Sequence, residues 1–470
     1  MAIDPEKNTS TRSSAVAAFN ERIRNKTARV GIVGLGYVGL PIALLFSAKG
    51  IEATGFDIDP LKVATLRQGR SYIKHIPEAD IAGALAHRRF DATTDFSLLR
   101  EVDAIIICVP TPLDDHREPD LTYIRSTAES IAANLRPSQL VVLESTTYPG
   151  TTEEVVLPIL EKSGLRCPIA PYTVENSEAV GNTPFEPDFF LAFSPEREDP
   201  GNPNFRTHQI PKVVGGVNAP SAMATQALYQ AAFDKTVLVS SSRAAEMTKL
   251  LENIYRSVNI ALVNELKLLC QRMGLDIWEI IGAAKTKPFG FSAFYPGPGL
   301  GGHCIPIDPF YLTWKAREYE FPTRFIELAG EINTSMPHHV VERLAGALNE
   351  RNKCLHGSRI LVLGVSYKKD IDDLRESPSL RIIKLIQDGG AVVDYNDPYF
   401  ERLHKMRQYD FGLESVPLTE ESLARYDAVV IATDHSSYDY EFIGRHAQLI
   451  IDTRNAMGRL NQYREKIVQA

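Results

Sequence analysis

The chain has 470 residues, of which 44% are hydrophobic and 23% are charged, a composition typical of a globular protein. At about 150 residues per domain, this length predicts about three domains, each able to bury a core. The formal net charge of −8 excludes a general basic surface for nucleic acid or anionic lipid.

The cysteines and the amino-terminal segment indicate the compartment. The five cysteines are scattered and contain no Cys-x-x-Cys pair, which favours neither a disulfide framework nor a zinc site. Residues 1–26 are polar, and no run of about 18 apolar residues occurs, so neither a signal peptide nor a membrane span is predicted. We therefore expect a reduced, soluble, cytoplasmic protein without a metal and without nucleic-acid or membrane partners.

Predicted strands and helices alternate from residue 28 onwards. Short β-branched runs predict strands over 29–33, 52–56, 104–109 and 140–143, and residues 41–49 predict a helix. Near-continuous apolar strands separated by helices indicate a parallel sheet covered on both faces. Residues 1–27 are expected to form a polar tail, and the Pro-, Glu- and Asn-rich stretch 166–187 a loop insertion.

The pattern changes after about residue 220. Residues 244–273 contain neither Pro nor Gly and predict one helix of about 45 Å, enough to bridge two domains or form a dimer interface. A second α/β pattern begins near residue 356. Its predicted strands cover 359–363, 391–395, 427–432 and 449–451. The fold class is therefore α/β, with two doubly wound domains joined by a central helical domain.

A glycine motif follows the first predicted strand. Gly34 permits a tight turn, Gly36 lets a pyrophosphate approach the backbone, and Gly39 lets the next helix pack closely. The amino end of that helix offers free N–H groups to phosphates. The next strand ends at Asp57, whose carboxylate can bind ribose hydroxyls and would repel a 2′-phosphate. The alternative, an accidental glycine turn, is disfavoured by this context. We predict NAD rather than NADP, because of this repulsion and because no Arg directly follows Asp57.

A second glycine-rich loop, over 297–304, ends at Cys304. Its glycines allow close approach of a ligand and supply unhindered N–H donors, so Cys304 is a candidate exposed nucleophile. The alternative is a buried structural thiol. His303 alone does not indicate a metal, because no second Cys/His cluster supports it.

Polar residues on the long helix are candidates for the chemistry. Lys249 and Asn253 are four residues apart and share a face, with Arg256 nearby. They form either a solvated surface or, in a nicotinamide enzyme, a pair that polarises a hydroxyl and stabilises an oxyanion.

Two further candidates follow apolar runs. Glu196 and Thr146 each stand where a strand ends, above the ligand crevice of a doubly wound sheet. The alternative for each is an ordinary strand-end polar residue. In the second α/β pattern, Gly364-Val365-Ser366-Tyr367 lacks the glycine triplet, so that unit either holds a mononucleotide or is only structural.

Several motifs in this order resemble the UDP-glucose/GDP-mannose 6-dehydrogenase family, from about residue 28 to residue 458. The resemblance implies an NAD-binding Rossmann domain over 28–220, a central helical dimerisation domain over 221–335 and a Rossmann-like UDP-sugar domain over 336–470. The motifs are Gly31 to Gly39, Cys108-Val109-Pro110-Thr111-Pro112, Glu144-Ser145-Thr146, Ser194-Pro195-Glu196-Arg197, Lys249 to Asn264, Gly299 to Pro309, Tyr367-Lys368 and Arg375-Glu376-Ser377-Pro378.

The resemblance also implies catalytic roles. Cys304 matches the catalytic nucleophile, and Asp308 a carboxylate that helps to activate water. Lys249 and Asn253 match the pair that stabilises the alkoxide and the tetrahedral intermediates. Glu196 matches the general base for thioester hydrolysis, beside a hydroxyl that positions water.

That water-positioning hydroxyl is Thr146, which also belongs to the implied cofactor site. The residues expected at NAD are Gly34, Gly36, Tyr37, Val38, Gly39, Asp57, Pro110, Thr111, Thr146 and Arg375. The residues expected at the UDP-sugar are Glu196, Arg197, Lys249, Asn253, Arg256, Phe294, Tyr295, Gly301, Tyr367, Lys368 and Arg454. Lys368, Arg375 and Arg454 match basic positions around the nucleotide diphosphate, the cofactor or the subunit interface.

The implied reaction is a four-electron oxidation of the C6 hydroxyl of a UDP-sugar to a carboxylate, with two NAD per sugar. The first oxidation gives an aldehyde, which the Cys304 thiolate attacks to form a thiohemiacetal. The second oxidation gives a thioester, and water releases the acid. A homodimer or higher homo-oligomer is implied.

Residues 286–309 resemble the UDP-N-acetylglucosamine 6-dehydrogenases of O-antigen pathways. The implied product is UDP-N-acetylglucosaminuronate for a bacterial surface polysaccharide. Phe289, Phe291, Phe294 and Tyr295 are candidates for an apolar contact with the acetamido methyl group. UDP-N-acetylmannosamine, UDP-N-acetylgalactosamine and UDP-glucose are alternative substrates.

Two other classes of protein share part of this pattern. A two-electron hydroxy-acid dehydrogenase can carry a Lys–Asn pair but needs neither Cys304 nor the second α/β domain. A non-enzymatic NAD-sensing or nucleotide-sugar-binding protein is disfavoured by the joint presence of Cys304, Lys249 and Glu196.

Overall fold

The computed structural model describes residues 15–73, 76–114, 118–174, 185–198, 206–302, 305–406 and 409–470. The expected nucleophile Cys304 and its neighbour His303 lie outside the described residues, as do residues 1–14 and 175–184. The chain divides into two compact units, one ending at Leu251 and the other beginning at Glu252. Within the described ranges, no helix is both long and apolar enough to cross a membrane.

An eight-stranded sheet forms the centre of the first unit. Its strands are β1 (Arg29–Val33), β2 (Glu52–Phe56), β3 (Phe90–Thr93), β4 (Ala104–Ile107), β5 (Leu140–Leu143), β6 (Phe190–Phe193), β7 (Lys212–Gly216) and β8 (Thr236–Leu238). Their spatial order is β3-β2-β1-β4-β5-β6-β7-β8. All pairs are parallel except β6 with β7, so the expected parallel sheet contains one antiparallel pair.

Helices cover this sheet. They are α1 (Ala15–Arg24), α2 (Gly39–Ala48), α3 (Pro60–Arg67), α4 (Glu78–Ala86), α5 (Thr122–Ala132), α6 (Leu157–Leu160) and α7 (Ala219–Gln230). A π-helix over Thr152–Val156 leads into α6. The core packs Val30 and Ile32 of β1 against Ala43 and Phe46 of α2.

Helix α1 lies inside the stretch that was expected to be a polar tail. Its residues Val16, Phe19 and Ile23 are buried and join the core of the first unit. Their spacing puts them on one helical face, so three apolar residues among polar ones are enough to attach the helix. The expectation of a polar tail is therefore wrong for residues 15–24.

The long helix α8 (Ser242–Met273) has 32 residues and confirms the helix predicted over 244–273. The second unit then contains α9 (Ile277–Ala284), α10 (Asp308–Ala316), α11 (Arg324–Asn349), α12 (Pro378–Asp388), α13 (Glu420–Ala424) and α14 (Tyr440–His446). Its strands are β9 (Arg359–Leu363), β10 (Val392–Asn396), β11 (Ala428–Ile431), β12 (Ile450–Asp452) and β13 (Ile467–Gln469). They form a parallel sheet in the order β10-β9-β11-β12-β13.

The two sheets share one local arrangement at their first strand. Gly34 after β1 and Gly364 after β9 are left-handed, with φ of +94° and +80°. The neighbouring strand ends in an aspartate that accepts the backbone N–H of the residue after the glycine, at 2.9 Å for Asp57 and 2.7 Å for Asp397. The second unit therefore repeats the turn of a Rossmann fold, although its sequence lacks the glycine triplet.

Candidate active site

The glycine turn of the first unit separates packing from open space. A Cβ atom at Gly39 would lie 1.9 Å from the backbone oxygen of Gly34, so Gly39 lets α2 pack against the turn. A Cβ atom at Gly36 would meet no atom within 4 Å. The space at Gly36 lies beside the amino end of α2, which suits the pyrophosphate of a dinucleotide.

Asp57 lies at the end of β2 and is buried. Its Oδ2 atom accepts the Leu35 N–H at 2.9 Å and pairs with the Lys62 ammonium at 3.3 Å. Its Oδ1 atom accepts the Asp59 N–H at 2.9 Å. A carboxylate has about four acceptor positions, so one remains for a ribose hydroxyl.

The other residues expected at the cofactor vary in exposure. Tyr37 and Val38 are partly buried at the start of α2. Thr111 is buried after β4, whereas Pro110 is exposed. Arg375 belongs to the second unit, where its guanidinium pairs with Asp373 at 2.7 Å.

Thr146 and Lys249 are brought together in the first unit. The Lys249 ammonium, on α8, donates a hydrogen bond to the Thr146 hydroxyl after β5, and both residues are buried. The positive charge of Lys249 also contributes to lowering the pKa of Glu196. Lysine, threonine and glutamate therefore share one electrostatic environment.

A buried ion cluster supports Glu196. The Lys212 ammonium lies 3.0 Å from Oε2 of Glu196 and 3.1 Å from Oε2 of Glu144. The Tyr229 hydroxyl donates to the other oxygen of Glu144. Lys212 is not among the residues predicted from the sequence. The sequence feature that could have indicated it is a lysine at the start of a short apolar strand, β7, combined with a glutamate after each of the strands β5 and β6.

The local backbone also fixes the Glu196 carboxylate. Its Oε1 atom accepts the N–H groups of Arg197 and Glu198, each at 2.7 Å. Burial alone would raise the pKa of Glu196, but Lys212, the Glu198 N–H and Lys249 together hold this pKa below its ordinary value. By contrast, burial raises the pKa of Glu144 despite its contact with Lys212.

Glu246 fastens α8 to the segment that follows Thr146. Its buried carboxylate accepts the Gly150 N–H at 2.5 Å, the Thr152 N–H at 2.9 Å and the Thr152 hydroxyl at 2.7 Å. Burial raises the pKa of Glu246 to about 7 despite these donors. No local pattern in the sequence marks Glu246 as a candidate, because its partners lie about 95 positions away.

The cysteines of the first unit are not activated. Burial raises the pKa of the Cys108 thiol well above its ordinary value, with Glu144 adding to the effect. Burial likewise raises the pKa of Cys167 to about 11. Both thiols therefore stay protonated at neutral pH and are poor nucleophiles.

In the second unit, the glycine loop packs against the segment after β9. A Cβ atom at Gly301 would lie 2.5 Å from Cβ of Tyr367, and one at Gly297 would lie 2.7 Å from Nη1 of Arg454. The Gly302 N–H donates to the backbone oxygen of Arg375 at 2.9 Å. At these glycines the close approach is to neighbouring protein groups, which brings several predicted substrate residues together. Lys368 adjoins Tyr367 in the same segment.

Asn253 and Asp308 form a second predicted pair. The Asn253 side-chain amide donates to Oδ2 of Asp308 at 2.5 Å, and Asp308 is fully buried at the start of α10. Arg256 is exposed on α8 and makes no polar contact with another described residue.

The predicted aromatic contacts divide into two groups. The Phe294 ring lies 5.7 Å from Tyr255 in an edge-on arrangement, and Tyr295 stacks on Trp278 at 5.7 Å. Phe289 and Phe291 are exposed. Only Phe294 and Tyr295 are therefore held in place by neighbouring rings.

Models of a known protein family match the chain in the predicted order of domains. Models of the UDP-glucose/GDP-mannose dehydrogenase family match the chain as an NAD binding domain over residues 28–233, a central domain over 243–335 and a UDP binding domain over 361–459. The chain belongs to this family. The predicted family, fold class and dehydrogenase activity are thereby confirmed, as is an NAD-binding domain.

Similar proteins differ in the sugar they act on. The chain is 36% identical to the UDP-N-acetyl-D-glucosamine 6-dehydrogenase of Pseudomonas aeruginosa, over 88% of this chain and 92% of that protein. It is 33% identical to the UDP-N-acetyl-D-mannosamine dehydrogenase of Escherichia coli K12, over 91% of this chain and 98% of that protein. A solved structure from Pyrococcus horikoshii, a UDP-D-ManNAc dehydrogenase, is 32% identical with a TM-score of 0.78, covering 91% and 96% of the two chains.

The different surroundings of Gly36 and Gly39 give a direct test of the cofactor turn. Gly36→Ala should leave thermal stability almost unchanged and weaken NAD binding roughly tenfold, because its methyl group enters the open space beside α2. Gly39→Ala should lower the free energy of unfolding by about 1–3 kcal/mol, because its methyl group meets the backbone. Calorimetric melting and NAD titration measure both effects. Unchanged NAD affinity in Gly36→Ala would contradict the placement of the pyrophosphate.

Proposed function

We propose that this enzyme oxidises the C6 hydroxyl of UDP-N-acetylglucosamine to a carboxylate, consuming two NAD per sugar, for the synthesis of a surface polysaccharide. The observation that carries the four-electron chemistry is the Glu196 carboxylate, which is held by three donors and shares its environment with Lys249 and Thr146. A two-electron dehydrogenase has no hydrolytic step and needs no such carboxylate.

The first unit supplies the binding groups for NAD. Gly36 and the amino end of α2 would hold the pyrophosphate, and Asp57 would accept a ribose hydroxyl. When bound, NAD accepts a hydride at each oxidation step. Asp57 already pairs with Lys62, but its negative charge still disfavours a 2′-phosphate.

Lys249 serves the oxidation of the alcohol. Its buried ammonium stabilises negative charge that develops on the C6 oxygen. The Thr146 hydroxyl, which accepts a hydrogen bond from Lys249, keeps the ammonium in one orientation. Glu246 maintains this contact, because it fastens α8 to the segment that follows Thr146.

Cys304 forms the covalent intermediate. Its thiolate attacks the aldehyde carbon, and the resulting thiohemiacetal is oxidised to a thioester. The Asn253 amide donates a hydrogen bond to the negatively charged oxygen of the tetrahedral intermediates. The Asp308 carboxylate, four residues after Cys304, orients this amide. The motif carries the assignment of Cys304, and the protonated state of Cys108 and Cys167 favours it over those thiols.

Glu196 serves the hydrolytic step. Its carboxylate has one acceptor position left beyond its three donors, which suits a water molecule. Glu196 takes a proton from this water as the water oxygen attacks the thioester carbon, and the Cys304 sulfur leaves. Thr146 directs the water through its hydroxyl oxygen.

The choice of sugar rests on the loop of residues 286–309 and on the relatives. The Pseudomonas aeruginosa relative is named for UDP-N-acetylglucosamine, whereas others are named for the N-acetylmannosamine or N-acetylgalactosaminuronate sugars. Phe294 and Tyr295, which are fixed by ring contacts, offer an apolar surface for the acetamido methyl group. One apolar contact of this size discriminates by about 10–200-fold.

The test is a panel of nucleotide sugars with NAD. UDP-N-acetylglucosamine should give the highest kcat/KM and two NADH per sugar consumed, with UDP-glucose a poor substrate by about 10–200-fold. One NADH per sugar would indicate a two-electron dehydrogenase. A higher kcat/KM for UDP-N-acetylmannosamine or UDP-N-acetylgalactosamine would contradict the sugar assignment and leave the chemistry intact. As a control, Cys304→Ala should bind NAD normally and form no acid.

We also propose that the enzyme is a homodimer whose interface includes α8. Leu262, Leu266, Leu269 and Met273 are 38–61% exposed and lie on one face, with spacings of four, three and four residues. An apolar stripe of this spacing is typical of a helix that packs against a partner helix.

Multi-angle light scattering tests this interface. Leu262→Asp combined with Leu269→Asp should convert the dimer to a monomer, because two carboxylates would be buried in the stripe. Val392→Asp, at an exposed valine of β10, is the matched control and should leave the dimer intact. A dimer that survives the double substitution would place the interface elsewhere.

A further inference from the structure

Lys212 is nearly inaccessible, with 3% of its side chain exposed. It begins β7, and the two carboxylates that meet it follow the neighbouring strands of the sheet, Glu144 after β5 and Glu196 after β6. One ammonium therefore bridges two strand ends.

Aromatic rings enclose the same ammonium. Lys212 Nζ lies 5.2 Å from the centre of the Tyr229 ring and 5.3 Å from that of Phe233. These rings provide favourable cation–π contacts but no proton acceptor on that side. The two carboxylates are therefore the groups that determine where the ammonium points.

We propose that Lys212 is a positioning residue for thioester hydrolysis, which keeps the Glu196 carboxylate ionised and fixed in orientation. Glu144 is the second carboxylate, which anchors Lys212 without taking part in the reaction. This inference rests on the proposed function for its consequence in catalysis. The structural claim, that Lys212 controls Glu196, does not.

The charges around Glu196 support this division. Lys212 and Lys249 favour the ionised form of Glu196, while Glu144 opposes it. The nearby Tyr229 hydroxyl and Cys108 thiol stay neutral, because burial raises the pKa of each. Without Lys212, Glu196 would lose its nearest positive charge and keep the Glu144 carboxyl group nearby, so its pKa would rise.

The ionisation of Glu196 determines how activity should depend on pH. A Glu196 that is ionised down to low pH can accept a proton from water throughout the neutral range. Removal of Lys212 raises the pKa of Glu196, so the loss of acid formation on lowering the pH should begin at a higher pH. If Lys212 had a purely structural role, its removal would change stability without moving the acidic limb of the pH–activity profile.

The experiment compares the pH dependence of acid formation in the full-length enzyme and in Lys212→Met. The acidic limb of the pH–activity profile should move up by at least about one pH unit, so that acid release at a fixed pH on that limb falls roughly tenfold. Single-turnover formation of the first NADH should change much less. Lys212→Arg keeps a cation between the carboxylates and should restore most of the parent profile.

A spectroscopic titration separates this inference from the proposed function. Infrared difference spectra of substrate-free protein, with Glu196→Gln as reference, report the ionisation of Glu196 directly. The Glu196 band should titrate at a higher pH in Lys212→Met than in the parent protein. In Tyr229→Phe, which loses only the hydroxyl group that donates to Glu144, the band should titrate at nearly the same pH as in the parent protein. Melting curves confirm folding of each variant.

The outcomes are distinct. An unshifted Glu196 titration in Lys212→Met overturns the role of Lys212, even if the parent enzyme makes acid. A shifted titration supports it, even if no UDP-sugar gives two NADH and the proposed function fails. Should Lys212→Met not fold, Lys212→Gln provides the same comparison, and a parent-like profile there also overturns the proposal.

Discussion

The buried ammonium of Lys212 is the constraint on which the arrangement of the candidate catalytic residues in the first unit depends. A lysine in a protein interior is tolerated only when opposite charges compensate it, and here Glu144 and Glu196 do so at 3.1 Å and 3.0 Å. The same contacts draw the ends of β5, β6 and β7 together. Thr146, two residues after Glu144, then stands where Lys249 of α8 reaches it. Compensation of this one charge therefore places a buried amine beside two carboxylates, Glu144 and Glu196, whose pKa values are shifted in opposite directions.

Much of the fold could be predicted from the sequence, because its strands are short apolar runs between turn residues. The predicted strands over 29–33, 52–56, 140–143 and 359–363 coincide with β1, β2, β5 and β9. Two features could not be predicted in this way. Helix α1 has only a narrow apolar face among polar residues. The antiparallel course of β7 depends on its neighbour in space, which a local pattern does not contain.

The candidate site was predictable where one motif carries the information and not where partners come from distant segments. Gly36, Thr146, Glu196 and Lys249 follow from motifs, and the structure shows how the last three interact. Lys212 stayed hidden, because its role requires the strand order that brings it between two glutamates. The glycines at 297–302 were predicted from the motif, but only part of the reason for them was. Part of their requirement for small residues comes from protein neighbours on the segment after β9, in addition to any ligand.

Trapping the acyl-enzyme tests the central claim, that the acid arises from a Cys304 thioester hydrolysed by water at Glu196. Glu196→Gln preserves the shape of the side chain but cannot accept the proton of water. After mixing with UDP-N-acetylglucosamine and NAD, intact mass spectrometry should show one covalent sugar-nucleotide adduct per chain, and peptide mapping should place it on Cys304. The parent enzyme should show none at the end of turnover. Acid formation by Glu196→Gln at the parent rate, without an adduct, would contradict the account.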